Sequence, residues 1–351
     1  MRYKSWALAF VILTFGGTLG LGVGNYLLDP FGLRSVEGKN FYNLSKAEFS
    51  YMYPVKIAQK APYYLVGSSR TWYLNLPRLS HYLNTHIIRV GMANQSLDES
   101  LLLLHALKAN SGHFIAGFDA FALSTARLPH NRLQQEFAKD THHNTISFLL
   151  NPRTTQALLR VFKYKILKRP NDWYFTYENL RIGKTSSHER IEEHNFLKPN
   201  PEYKGAQFEH YDIDQSKILE LARLGDSQDI FIIFPKYAYY YELFARYGVQ
   251  EPYFRAIEIL VGNTKARVLS FYGNNSITCD KDNFDDYAWH LKPKVGDLIL
   301  ARIFDDGTKS LPEDFGVELT QSNIHSYLQS LRKQIRSNPC KSTESKITES
   351  K

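Results

Sequence analysis

The sequence predicts an α/β protein: a three-layer sandwich on a mainly parallel five-stranded sheet, behind an N-terminal transmembrane helix. Three observations predict it. A stretch of 24 residues without a charge, Ser5 to Leu28, opens the chain after Arg2 and Lys4. Five short apolar runs follow, at 63–69, 87–93, 113–119, 229–235 and 266–272. Each is near-continuous rather than alternating, as strands buried on both faces are. Helical patterns separate the runs, and strands alternating with helices fold as a sheet covered on its faces.

The first element is the anchor. As a helix, its 24 residues reach roughly 36 Å at about 1.5 Å each, enough for a hydrocarbon core of about 30 Å. Arg2 and Lys4 favour a cytoplasmic tail over residues 1–4. The expected protein is therefore single-pass in the cell membrane, with its bulk periplasmic or extracellular. A cleaved signal peptide is the rival reading, but its apolar core is shorter and a small-x-small site follows it. Nothing here resembles A-x-A. Gly16, Gly20 and Gly24 share one helix face, which suits either packing against another membrane helix or ordinary membrane glycine.

Residues 29–60 read as a connecting segment and 61–338 as the α/β domain. Within that domain, "SLDESLLLLHALKAN" (96–110) starts on a capping box, Ser96 with Glu99. "DQSKILELARLG" (214–225) and "YAYYYELFARYG" (237–248) both end on glycine. Residues 120–228 interrupt the rhythm and read as an insertion forming a lid or substrate surface, with one clear helix at 152–169. Residues 339–351 are polar and read as a disordered tail.

Composition narrows the function classes. The net charge is +8 with aromatics at 14%, but no nucleic-acid-binding motif accompanies the charge, so no nucleic-acid partner is expected. The densest basic cluster, "FKYKILKRP" (162–170), suits a solvated or membrane-facing helix. Cys279 and Cys340 lack CxxC spacing, which argues against metal fingers and thioredoxin-like chemistry. An oxidising compartment would allow them to bridge, but Cys340 falls in the polar tail, which argues against the pairing. His142, His143, His188 and His194 lack ligand spacing on a helix, so neither a metal nor another cofactor is expected. "FPKYAYYYELF" (234–244) is either a sugar-stacking strip or core.

The residues that suggest chemistry lie beyond the carboxyl ends of the predicted strands, where open α/β sheets bind ligands. The first run ends in Gly67-Ser68-Ser69-Arg70. A serine nucleophile needs a base, a group that orients the base, and donors for the oxyanion. Ser69 fits the nucleophile, His290 the base and Asp286 the group that orients it. The backbone N–H groups of Ser69 and Gly91 fit the oxyanion role. Arg70, Asn94 and Asp119 are candidate substrate contacts, with Arg70 equally suited to a surface charge at a helix start. A literal Gly-Asp-Ser at 225–227 precedes a strand instead of following one, and reads as a helix-ending turn.

This arrangement resembles the SGNH (GDSL-like) hydrolase superfamily, whose folds are flavodoxin-like. It looks most like the membrane-anchored extracytoplasmic branch that includes D-alanyl transfer and alginate and peptidoglycan O-acetylation proteins. The resemblance rests on Gly67-Ser68-Ser69, on Gly91 in "RVGMANQS", and on Asp286 with His290 before a helix. It implies a serine esterase or O-acyltransferase acting on acyl groups of a cell-envelope polysaccharide, with a membrane-bound acyltransferase as a possible partner. Two positions depart from the family pattern. Asp286 and His290 are spaced D-x-x-x-H, where the family has D-x-x-H. Asp119 stands where the family places an asparagine oxyanion donor, and an ionised carboxylate donates nothing. These departures favour the other reading, a degenerate SGNH-like scaffold that binds a glycan or an acyltransferase partner.

Overall fold

The structure is a computed structural model that describes residues 2–28, 40–42, 54, 57–58, 60–129, 146, 149–167, 174–176, 197–201, 203–284, 290–337 and 340. In chain order the strands are β1 (Asn40–Tyr42), β2 (Tyr63–Gly67), β3 (Ile87–Arg89), β4 (His113–Phe118), β5 (Tyr174–Thr176), β6 (Ile230–Ile233), β7 (Arg267–Ser270) and β8 (Val317–Leu319). The α-helices are α1 (Arg2–Leu28), α2 (Leu76–Leu83), α3 (Leu97–Ala109), α4 (Pro152–Leu167), α5 (Gln215–Leu224), α6 (Tyr239–Arg246), α7 (Gln250–Asn263), α8 (Pro293–Ile303) and α9 (Ile324–Ser337).

Among the described residues, α1 alone is long and apolar enough to cross a membrane. It already begins at Arg2, so the expected short tail is largely helical; arginine and lysine are good helix formers and give it no reason to stop.

By its contacts the chain divides into two units, 1–59 with 131–184, and 60–130 with 185–351. The first holds α1, α4 and the antiparallel pair β1–β5, in register from Asn40 opposite Thr176. The second holds the sheet. The helix α5 belongs with the sheet, where it packs on α7 and α3 as a crossover helix between β4 and β6. The stretch 120–228 thus contributes to both units.

All five apolar runs form strands, and a sixth joins them. The sheet order is β3-β2-β4-β6-β7-β8. The first five are parallel, and β8 pairs antiparallel on β7. The sheet is therefore mixed and six-stranded, against the five expected. β8 has three residues, two of them exposed, so it leaves no apolar run to read. Buried rings and branched chains fill both faces of the central strands: Tyr64, Leu65 and Val66 on β2, Phe114 and Ile115 on β4, Phe231 and Ile232 on β6. The tyrosine-rich stretch is mostly core, since Phe234, Tyr240, Tyr241 and Phe244 are all buried.

The expected capping chemistry is present. Ser96 accepts from the Glu99 N–H, and the Glu99 carboxylate accepts from the Ser96 N–H. Asp214 caps α5 by accepting from the N–H groups of Ser216 and Lys217. Gly225 ends α5 just ahead of β6, so the literal Gly-Asp-Ser is a helix-ending turn. Cys279 and Cys340 form a disulfide. Cys340 is therefore held to the residues after β7, which the local composition does not announce.

Candidate active site

β2 lies between β3 and β4. The chain leaves β2 toward one side of the sheet and returns past it to the other, so the order reverses there. Open α/β sheets take ligands in the crevice beyond the carboxyl ends at this point. Here three glycines end or follow neighbouring strands. Gly67, with φ +142°, could not carry a side chain: a Cβ would run into the Gly117 carbonyl. A Cβ on Gly91 would likewise run into the Gly67 carbonyl. The three backbones meet more closely than any other residue permits.

The turn out of β2 is a short 3-10 helix, Ser69–Tyr73. Thr71 closes it by donating from both its N–H and its hydroxyl to the Ser68 carbonyl, at 3.0 and 2.8 Å. That turn sorts the two serines. Ser68 is buried, at 2% exposure, whereas Ser69 is partly open to solvent.

Ser69 Oγ lies 2.8 Å from His290 Nε2, across 221 residues of sequence. With the proton on Nδ1, the serine hydroxyl donates to the imidazole, as a nucleophile–base pair requires. His290 sits beside a closed loop base, where Phe284 bridges Leu291 and the Lys292 N–H donates to the Asn283 carbonyl at 2.9 Å. Its ring stacks on Tyr73, with centroids 5.6 Å apart and planes 25° from parallel. The helix that follows, α8, comes so close that a Cβ on Gly296 would overlap the Tyr73 carbonyl. The glycine in α8 therefore lets the histidine-bearing segment approach the serine-bearing turn. Asp286 lies outside the described residues, as do His142, His143, His188 and His194.

The other expected site residues are placed differently from one another. Asn94 is half-buried and left-handed, with φ 51°. Arg70 and Asp119 face each other, each only 1% exposed, as a buried ion pair. The second carboxylate oxygen of Asp119 accepts from the Ala122 N–H at 2.9 Å and so starts the 3-10 turn after β4. The pair thus ties the turn after β2 to the turn after β4. Gly91 is buried, and its carbonyl accepts from Trp72 Nε1 at 3.5 Å.

Three residues shape the site without a motif to mark them. Tyr73 backs the histidine and Trp72 holds the Gly91 loop. Buried Arg127 donates to the Gln95 carbonyl at 3.0 Å and to the Tyr203 hydroxyl. Their only signal in the sequence is aromatic and basic character next to the turns.

A second polar cluster lies at the opposite edge of the sheet, where β4 and β6 begin. His113, Asp226 and Asp229 approach one another there, but the Lys108 ammonium already sits between the carboxylates, at 2.7 and 2.5 Å. Burial pushes the Asp229 carboxyl above its usual range, against its bonds to the Asp226 N–H and to Lys108. No protein family, curated protein or solved structure matches the chain.

Proposed function

We propose that the protein is a membrane-anchored serine esterase or O-acyltransferase with an SGNH-like, flavodoxin-like three-layer domain, acting on acyl esters of a cell-envelope polysaccharide. One observation carries the proposal: the 2.8 Å contact between Ser69 Oγ and His290 Nε2 at the switch point of a parallel sheet. In the reaction, His290 Nε2 takes the hydroxyl proton as Ser69 Oγ attacks the ester carbonyl carbon. Backbone N–H groups of Ser69 and Gly91 receive the oxyanion. Collapse breaks the bond to the sugar oxygen, which leaves with the proton from His290. Water or a second sugar hydroxyl then attacks acyl-Ser69 by the same steps in reverse. The Cys279–Cys340 disulfide supports an extracytoplasmic site, since such bonds persist in oxidising compartments.

The role of Arg70 and Asp119 in this scheme is to hold the turn that presents Ser69, given their burial against each other. That same burial favours the second reading. The family's asparagine donor is replaced by a carboxylate already engaged by Arg70 and the Ala122 N–H, which suits a scaffold that binds a glycan or a membrane acyltransferase.

Labelling by a fluorophosphonate probe separates the two. The enzyme reading expects labelling of the intact protein that disappears in Ser69→Ala and falls by at least about a hundredfold in His290→Ala, the lower range for losing a general base. Labelling that persists in Ser69→Ala would sink the nucleophile assignment, and an unlabelled but glycan-binding protein would establish the scaffold.

A further inference from the structure

The first unit carries an apolar surface that the proposed chemistry does not use. α4 contains Arg153, Arg160, Lys163 and Lys165 and no acidic residue. It also exposes Leu159 and Phe162, at 55% and 43%, while Ile146 and Leu150 just upstream are 59% and 47% exposed. The same helix is docked on α1 through neighbouring residues. A Cβ at Gly24 would touch Leu158 at 3.3 Å, and one at Gly22 would touch Leu150 at 3.6 Å. Asn25 of α1 is fully buried and donates from Nδ2 to the Leu149 carbonyl at 2.7 Å and to Thr155 Oγ1 at 3.3 Å. Between α1 and the residues Ile146, Leu149 and Leu150 runs an apolar groove of about 440 Å³, walled on the α1 side by Phe15, Leu19 and Tyr26.

The dimensions of this groove select its occupant. Phe15 to Tyr26 covers about 16 Å of helix at about 1.5 Å per residue, roughly half of a hydrocarbon core about 30 Å thick. The groove is one leaflet deep. Its walls continue the exposed apolar surface of α1, where Leu13, Phe15 and Leu19 are 74%, 73% and 70% exposed. Beside its wall residue Tyr26, Asn25 is bonded to the Leu149 carbonyl, and the basic helix α4 begins two residues past Leu150. A partner membrane helix would need a seam running the full span. A phospholipid needs an apolar slot for a chain and cations above it for a phosphate, and a basic amphipathic helix beside a membrane span supplies the second.

We propose that α4, with Ile146, Leu149 and Leu150, forms a lipid collar on α1, whose groove takes one acyl chain of an anionic phospholipid while α4 faces the headgroup. The collar rests on α1 lying in the membrane and is independent of the Ser69 chemistry.

The full chain is reconstituted in nanodiscs of phosphatidylcholine with phosphatidylglycerol. Trace phosphatidylglycerol or phosphatidylcholine carrying the same acyl-chain diazirine is added, and photo-adducts are mapped by mass spectrometry. Expected are adducts on Ile146, Leu149 and Leu150 as well as on Phe15–Tyr26. The anionic probe should label roughly fivefold or more above the neutral one, the share of a single lysine near an anionic surface. Leu150→Asp should lose the adducts on Ile146 and Leu149 and keep those on Leu13, which reads the anchor separately. Adducts confined to α1, or none on either element, overturn the collar, and equal labelling by both probes overturns its preference for anionic lipid.

Discussion

At the scale of single residues, the buried pair of Arg70 and Asp119 is the feature most sensitive to substitution. Removing one partner leaves the other charged, dry and uncompensated, which costs about 3–5 kcal/mol. Asp119→Ala should therefore destabilise the protein by about that much in urea unfolding. Arg70→Met combined with Asp119→Leu should recover most of the loss. If the double variant is no more stable than Asp119→Ala, the two side chains are not coupled as described. The same comparison separates structure from chemistry, since a stable double variant that has lost Ser69 labelling assigns the pair to presenting the nucleophile. Much of this site was legible in the sequence, because Gly67, Ser69, Gly91 and His290 belong to short blocks tied to strand ends. The partnership of Arg70 with Asp119 was not. A charged residue after a strand reads as exposed by default, and only the three-dimensional approach of two turns shows that each charge is the other's counter-ion.

At the scale of elements, the segments that bring serine and histidine together are held by a clip between α2 and the end of α8. The Tyr82 hydroxyl on α2 donates to Asp306 Oδ2 at 2.6 Å, its ring stacks on Phe304 at 4.8 Å, and Arg78 pairs with Asp297 at 2.8 Å. The Asp306 carboxyl is lowered to about 2, first by the Thr308 hydroxyl and then by that of Tyr82. A carboxyl held below its unfolded value of 3.8 stabilises the fold above that pH, and the contribution is lost as pH falls from there toward 2. Tyr82 is pushed up to about 12, by burial first and then by its bond to Asp306. Its neutral form therefore stabilises the fold below pH 10, and this is lost as pH rises from 10 toward 12. In Tyr82→Phe, a carbon-13 NMR titration should find the Asp306 carboxyl moved upward, but not to 3.8, because Thr308 remains. An unmoved carboxyl would show that the clip is absent in solution. Elements of this kind were readable where propensity and periodicity agreed, as in the capping box of α3. β8 was not readable, because three residues with two exposed carry no period.

At the scale of the whole molecule, the disulfide closes a loop of 61 residues that contains His290, α8, β8 and all of α9. On a chain-entropy basis a loop of that length stabilises by roughly 4 kcal/mol. Reduction under native conditions should therefore lower the thermal midpoint by several degrees in a scan with and without reductant. An unchanged midpoint would mean that the two sulfurs are not bonded in solution. Composition did not reveal the bond, because Cys340 sits among serines, lysines and threonines that mark a solvated tail, whereas its partner follows a core strand.

That bond also imposes an order on biosynthesis. Cys279 is made 61 residues before Cys340, so the loop that carries His290 leaves the ribosome without its fastener. At about 5–20 residues per second the wait is roughly 3 to 12 s. During that interval β2, β4, β6 and β7 are already available to pair, while β8 and α9 are still being added. The serine-bearing turn is thus synthesised well before the histidine-bearing loop can be fastened by its disulfide.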